Sequence, residues 1–196
     1  MKKLLFLTLT ILSVLSVHAK DPMTLESGSL AEIANADNKV YFTVDFSKAV
    51  VHNDKNEYTL DGYLEHRGPD FVADWNKDSE TAYSYLPVRF NQKNKKGAQA
   101  IMTKGDYDIL ATVYLTDIDF GNGAGIFIPF GGAKAGGCII SGKLVFTDKN
   151  NHEIAVLPFT EVKGLGHTSE TIRLGLGYFE LMNKLGDVIK KQGKKK

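Results

Sequence analysis

The sequence predicts an α/β domain that borders on α+β: one mixed sheet of about four strands, helices packed on it, and a long C-terminal helix. Three observations predict it. Val40, Phe42, Val44 and Phe46 alternate with other residues at the period of a half-buried strand. Apolar residues at helical spacing then fill 57–94, ahead of a second strand over 107–118, and a strand–helix–strand order calls for parallel pairing. Two further strands flank a polar turn, and a long helical pattern follows them.

The elements read in order begin with a leader. Met1-Lys2-Lys3 is basic, Leu4 to Leu15 is apolar except for Thr and Ser, and Val17 and Ala19 are small residues ahead of Lys20. This is the pattern of a secretory signal peptide cleaved after Ala19. The apolar run is shorter than the ~20 residues of a membrane span. No cysteine stands at the cleavage point to carry a lipid. The expectation is an exported protein, periplasmic or extracellular, without a transmembrane span. Residues 20–192 form one domain and 193–196 a lysine-rich tail. Composition is that of a globular protein, 43% hydrophobic and 24% charged. The formal charge of +1 counts two leader lysines, and five of the last seven residues are lysines, so the body between them is acidic. That excludes a nucleic-acid binder, which needs a basic face on the folded body.

Residues 20–38 are polar, with a short helical turn near Leu30 to Ala34. After the first strand, His52 to Asn56 reads as a loop. Leu60, Tyr63 and Leu64 form a helical stripe that Gly68-Pro69 interrupts, since proline fits the first turn of a new helix. Phe71, Val72 and Trp75 make a second short helix. Ser79 caps a third, which Pro87 kinks or restarts. The strand over Tyr107 to Ile118 is apolar on both faces, as a central strand is. Ile139 to Thr147 and Glu153 to Phe159 form a hairpin about Asp148-Lys149-Asn150-Asn151, with Pro158 at an edge or a strand end. Thr168 or Ser169 caps the last helix. Ile172, Leu176, Phe179, Met182 and Ile189 mark its apolar face, with Leu185 and Val188 alongside.

No catalytic motif is present, and no cofactor or metal is expected. Gly121 to Gly137 holds seven glycines in seventeen residues but matches neither GxGxxG nor GxxxxGK[ST]. It is either a long connection or a loop that presents an apolar tip. Ile126, Phe127 and Phe130 would then contact a partner, with Lys134 beside them. Asp117 and Asp119 share one face of a strand end, and Ile128 stands where a calcium loop needs glutamate. His66-Arg67-Gly68-Pro69-Asp70 is a polar cluster at a helix break. There His66 and Arg67 either cap and pack locally or bind a carboxylate or phosphate. Cys138 is the single cysteine, so no intramolecular disulfide forms, and it opens an apolar strand as a buried thiol.

Three stretches carry a resemblance: Val44-Asp45-Phe46-Ser47, Tyr63 to Phe71 with Trp75, and Tyr178 to Gly186. Together they resemble an uncharacterised group of exported bacterial α/β domains of the envelope. More distantly they are similar to the α/β domain of the curli-secretion lipoprotein, whose lipid-attachment cysteine this chain lacks. The resemblance implies an envelope location and transfers no catalytic residues.

The leading expectation is a non-enzymatic binding or assembly domain, meeting an envelope protein or itself through the 121–137 segment and the sheet edge. One alternative is a small-ligand or glycan binder using Tyr83, Tyr85 and Trp75. Another is a hydrolase built from Asp45, Asp117 and Asp119.

Overall fold

The computed structural model describes residues 21–53, 56–121 and 136–193. Four long strands carry the sheet: β2 (Lys39–Asp45), β6 (Ile109–Asp119), β7 (Ile139–Asp148) and β8 (Glu153–Lys163). β2 runs parallel to β6, with Val40 opposite Ile109, while β6, β7 and β8 are antiparallel neighbours. The sheet is larger than about four strands, because four short ones extend it to eight: β1 (Ser27–Gly28), β3 (Val50–Asn53), β4 (Asn56–Tyr58) and β5 (Gln99–Ile101). At two to four residues each, they are too short to show alternation.

β2 and β3 act as one interrupted strand. Asp45 lies opposite Tyr114 and Val50 opposite Asp117, so two extra residues bulge out between them. A turn closes the bulge, with Ala49 N–H donating to Phe46 O at 2.9 Å. The segment expected as a loop at 52–56 instead joins β3 to β4 as a hairpin, with Asn53 opposite Asn56.

α2 (Leu60–Arg67) starts at Thr59, whose Oγ1 accepts from Gly62 N–H, and stops at Gly68 with φ +85°. That dihedral lies in the region glycine tolerates, and Pro69 restarts the chain as α3 (Pro69–Lys93). α3 is one continuous helix of 25 residues where two were expected. Ser79 does not cap it: its hydroxyl donates to Trp75 O at 2.6 Å, one turn back. Pro87 sits inside the helix and is buried. Its missing N–H leaves the Tyr83 carbonyl without a helical partner.

α4 (Glu170–Gly193) is capped by Ser169, whose Oγ accepts from Ile172 N–H at 3.3 Å. Its buried stripe is Leu174, Tyr178, Leu181, Leu185 and Val188, which recur at three and four residues. Met182 is also buried, whereas Ile172, Leu176 and Phe179 are half-buried, so the core-facing side is rotated from the expected one. α3 and α4 run parallel. Asp78 meets Ser169, Arg89 Nε donates to Asn183 Oδ1 at 2.8 Å, and the Lys93 stem lies against Gly186. The helices are therefore parallel but staggered, with α4 starting beside Asp78 well inside α3, and lysines in their last turns (Lys93, Lys190, Lys191) complement the dipoles.

One sheet face carries the core. Val40, Phe42, Ile109, Ala111, Val113, Leu144, Phe146 and Leu157 are buried there with Trp75, Leu86, Phe90 and the α4 stripe. Phe42 meets Phe90 edge-on at 5.3 Å. Burying each such side chain contributes about 1.5–3 kcal/mol. The other face, with Tyr41, Thr43, Leu110, Thr112 and Tyr114, is half-buried.

Candidate functional site

The site with the most open chemistry lies along β2. β5 pairs with Lys39, Val40 and Tyr41 only. Beyond Tyr41, the side of β2 facing away from β6 has no strand partner among the described residues. Backbone groups alternate in direction along a strand. Lys39 O accepts from Asp108 N–H on the β6 side, and Asn38 O accepts from Gln99 N–H on the β5 side. The even-numbered residues therefore point outward, which frees the Phe42 carbonyl and both backbone groups of Val44.

This edge forms one wall of a groove of about 690 Å³. α3 forms the opposite wall through Asn76, Ser79, Glu80, Tyr83 and Ser84, and Ile101 to Thr103 close one end. Tyr83 is 40% exposed and stacks on the buried Tyr178 at 6.3 Å. Burial raises the pKa of its phenol, which remains a hydrogen-bond donor at neutral pH. The Ser79 and Ser84 hydroxyls donate to carbonyls of their own helix, so they face the groove as acceptors. Glu80 is the single charged residue among those lining it. Met102, 58% exposed, adds an apolar rim.

His66 and Arg67 lie in the last turn of α2, just ahead of α3. His66 stacks on Tyr58 at 5.0 Å. Arg67 lies over the Phe71 ring at 4.1 Å, and its Nη1 donates to Glu170 Oε1 and to the Tyr63 hydroxyl, both at 2.6 Å. Burial depresses the guanidinium's pKa, but the bond to Glu170 and its charge outweigh that and raise it. The carboxylate held by Arg67 is thus one of the chain's own. Ile126, Phe127, Phe130 and Lys134 lie outside the described residues.

Among the aromatics read as a glycan surface, Trp75 is buried against Phe120, and Tyr85 packs edge-on against Phe179. Only Tyr83 of the three reaches the groove. The acids are held locally. Asp45 accepts from Ser47 N–H at 2.7 Å, and its hydrogen bonds to Ser47 lower its pKa. Asp117 faces His52 at 3.3 Å, and Asp119 accepts from Gly121 N–H at 2.7 Å. Among the described residues, no cluster of three or more His, Cys, Asp or Glu is placed to hold a metal, and no helix is long and apolar enough to cross a membrane. Cys138 is fully buried, and burial pushes its thiol pKa up.

The groove was not visible in the sequence. Asn76, Glu80, Tyr83 and Ser84 do recur at helical spacing as a polar and aromatic stripe flanking the α3 core face, and that is the available signal.

No family model matches this chain, and no curated protein matches it. Among solved structures, a PelC dodecamer from Paraburkholderia phytofirmans has 10% identity and a TM-score of 0.40, covering 82% of this chain and 96% of that one. A variant of the same dodecamer has 8% identity and a TM-score of 0.36, covering 83% and 95%. The crystal structure of an uncharacterised protein has 12% identity and a TM-score of 0.41, covering 81% and 95%. Likenesses this slight place the chain in no family.

Proposed function

We propose that this chain is an exported, non-enzymatic binding domain of the cell envelope that takes an extended polypeptide segment into the groove beside β2. The observation that carries this reading is the free edge at Phe42 and Val44, set opposite a helix wall. An incoming strand pairs with the outward backbone groups, which supply affinity without regard to sequence, and the wall selects side chains. Glu80 favours a segment with a lysine or arginine facing α3. Tyr83 and Met102 offer it apolar contact. Export is supported by the leader-like residues 1–19, and the envelope by the resemblance drawn above.

The test is selection of peptides from a displayed random library on the protein comprising residues 20–196. The reading expects enriched peptides that carry a basic residue, lose at least tenfold in affinity on Val44→Pro, and change charge preference on Glu80→Lys. Val44→Pro is suited to this because it removes an outward N–H and spares the ladder to β6. A selection with no enrichment over an unrelated protein, or peptides indifferent to both changes, overturns it.

A further inference from the structure

The one guanidinium buried in the core region is only partly satisfied. Arg173, in the first turn of α4, is 1% exposed, and its Nε and Nη1 have no hydrogen-bond partner among the described residues. Its Nη2 lies 3.4 Å from Glu170 Oε1. Glu170 is already committed, since its two oxygens receive Arg67 Nη1 and the Tyr63 hydroxyl at 2.6 Å each. One carboxylate is thus shared by two guanidinium groups. Asp78 and Asp119 also face this end of the fold, but Asp78 receives the Ser169 hydroxyl, Asp119 receives Gly121 N–H, and both are more exposed than Arg173. The sequence from 122 to 135 contains no Asp or Glu. α4 directs its N-terminal, partially positive end here as well.

A buried charge without full pairing is among the costliest features a fold carries. We infer that the Arg173 guanidinium binds an oxyanion, a carboxylate or phosphate group, at the N-terminal end of α4. The anion takes the two free donors and offsets the second positive charge. It enters past Arg67 and Glu170, the solvent-side members at 33% and 15% side-chain exposure. This inference is independent of the groove at β2, whose lining residues include none of this cluster.

The test is thermal unfolding of the protein in a chloride buffer, titrated with sodium phosphate or sodium acetate at matched ionic strength. The expected result is a rise in Tm of about 2–4 °C at a few multiples of Kd, which continues logarithmically with concentration and is absent in Arg173→Met. The salt that acts identifies phosphate or carboxylate as the preferred group. Nitrogen-15 NMR of the Arg173 Nε–H in the unmodified protein gives the same answer should Arg173→Met fail to fold: the resonance shifts saturably with the active anion. Equal Tm values in phosphate, acetate and chloride, a rise that Arg173→Met retains, or an unmoved Nε–H resonance overturns the inference.

Discussion

The Tyr63 hydroxyl donates to Glu170 Oε2 at 2.6 Å, joining α2 to the first turn of α4 across 107 residues of sequence. Burial, followed by the bond to Glu170, raises the phenol's pKa, so it stays protonated and donating at every physiological pH. Tyr63→Phe removes a bond to a charged group and is expected to cost about 1.5–3 kcal/mol in urea unfolding. Glu170→Ala is expected to cost more, about 3–5 kcal/mol, because it leaves Arg67 and the buried Arg173 without their carboxylate. Equal costs for the two changes would show that Glu170 acts only through Tyr63.

Gly164 marks a backbone crossing. A Cβ there would lie 2.5 Å from Gly177 N and 2.6 Å from Leu176 C, both main-chain atoms of α4. Neither is free to swing aside as a side chain would. Gly164→Ala is therefore expected to destabilise by about 1–3 kcal/mol or more, whereas Gly105→Ala, whose nearest neighbour is 3.9 Å away, changes stability little. Chemical denaturation of the two variants side by side checks this.

Asp108 and Lys39 hold the start of the parallel pair together. Lys39 N–H donates to Asp108 Oδ2, and Asp108 N–H donates to Lys39 O, both at 2.9 Å. The bond from Lys39 N–H, then Lys149, keeps the Asp108 carboxyl below its ordinary value of 3.8. A carboxyl with a depressed folded pKa lends stability that is present above the unfolded value and is lost as pH falls through the folded one. Asp45 and Asp148 are shifted the same way. Stability is expected to hold from neutral pH down to about 4 and to decline below it. Asp108→Asn makes that decline shallower and costs on the order of half a kcal/mol at pH 7, a small figure because the pair is solvent-screened. An unchanged acid limb in the Tm–pH profile of Asp108→Asn contradicts the assignment.

Particular residues show why parts of this molecule were legible in the sequence. Val40, Phe42 and Val44 announce β2 because one face is buried and the other is not, which writes the period of two directly into the chain. Ser169 announces the start of α4 because capping is local. The continuity of α3 through Ser79 and Pro87 was not legible: packing against α4 holds the helix where local signals favour a break. The face of α4 was misjudged by about a third of a turn, because Thr171 and the buried Arg173 sit on the core side among apolar neighbours and do not look like core. Glu170 and Arg173 are three residues apart, and Tyr63 and Arg67 four, so each half of the buried cluster is a visible helical pair. That the halves meet is tertiary information. The open edge of β2 depends on where β5 ceases to pair, near Ile101, some 60 residues away, and no local pattern records it.

The binding account rests on Val44, and amide hydrogen exchange of that residue tests it most directly. With a selected peptide at saturation, the account predicts that Val44 N–H exchanges at least tenfold more slowly, while Thr43 N–H, already turned toward β6, changes little. Protection confined to other residues, or a Val44 amide that exchanges at the same rate with and without peptide, would contradict strand addition at this edge.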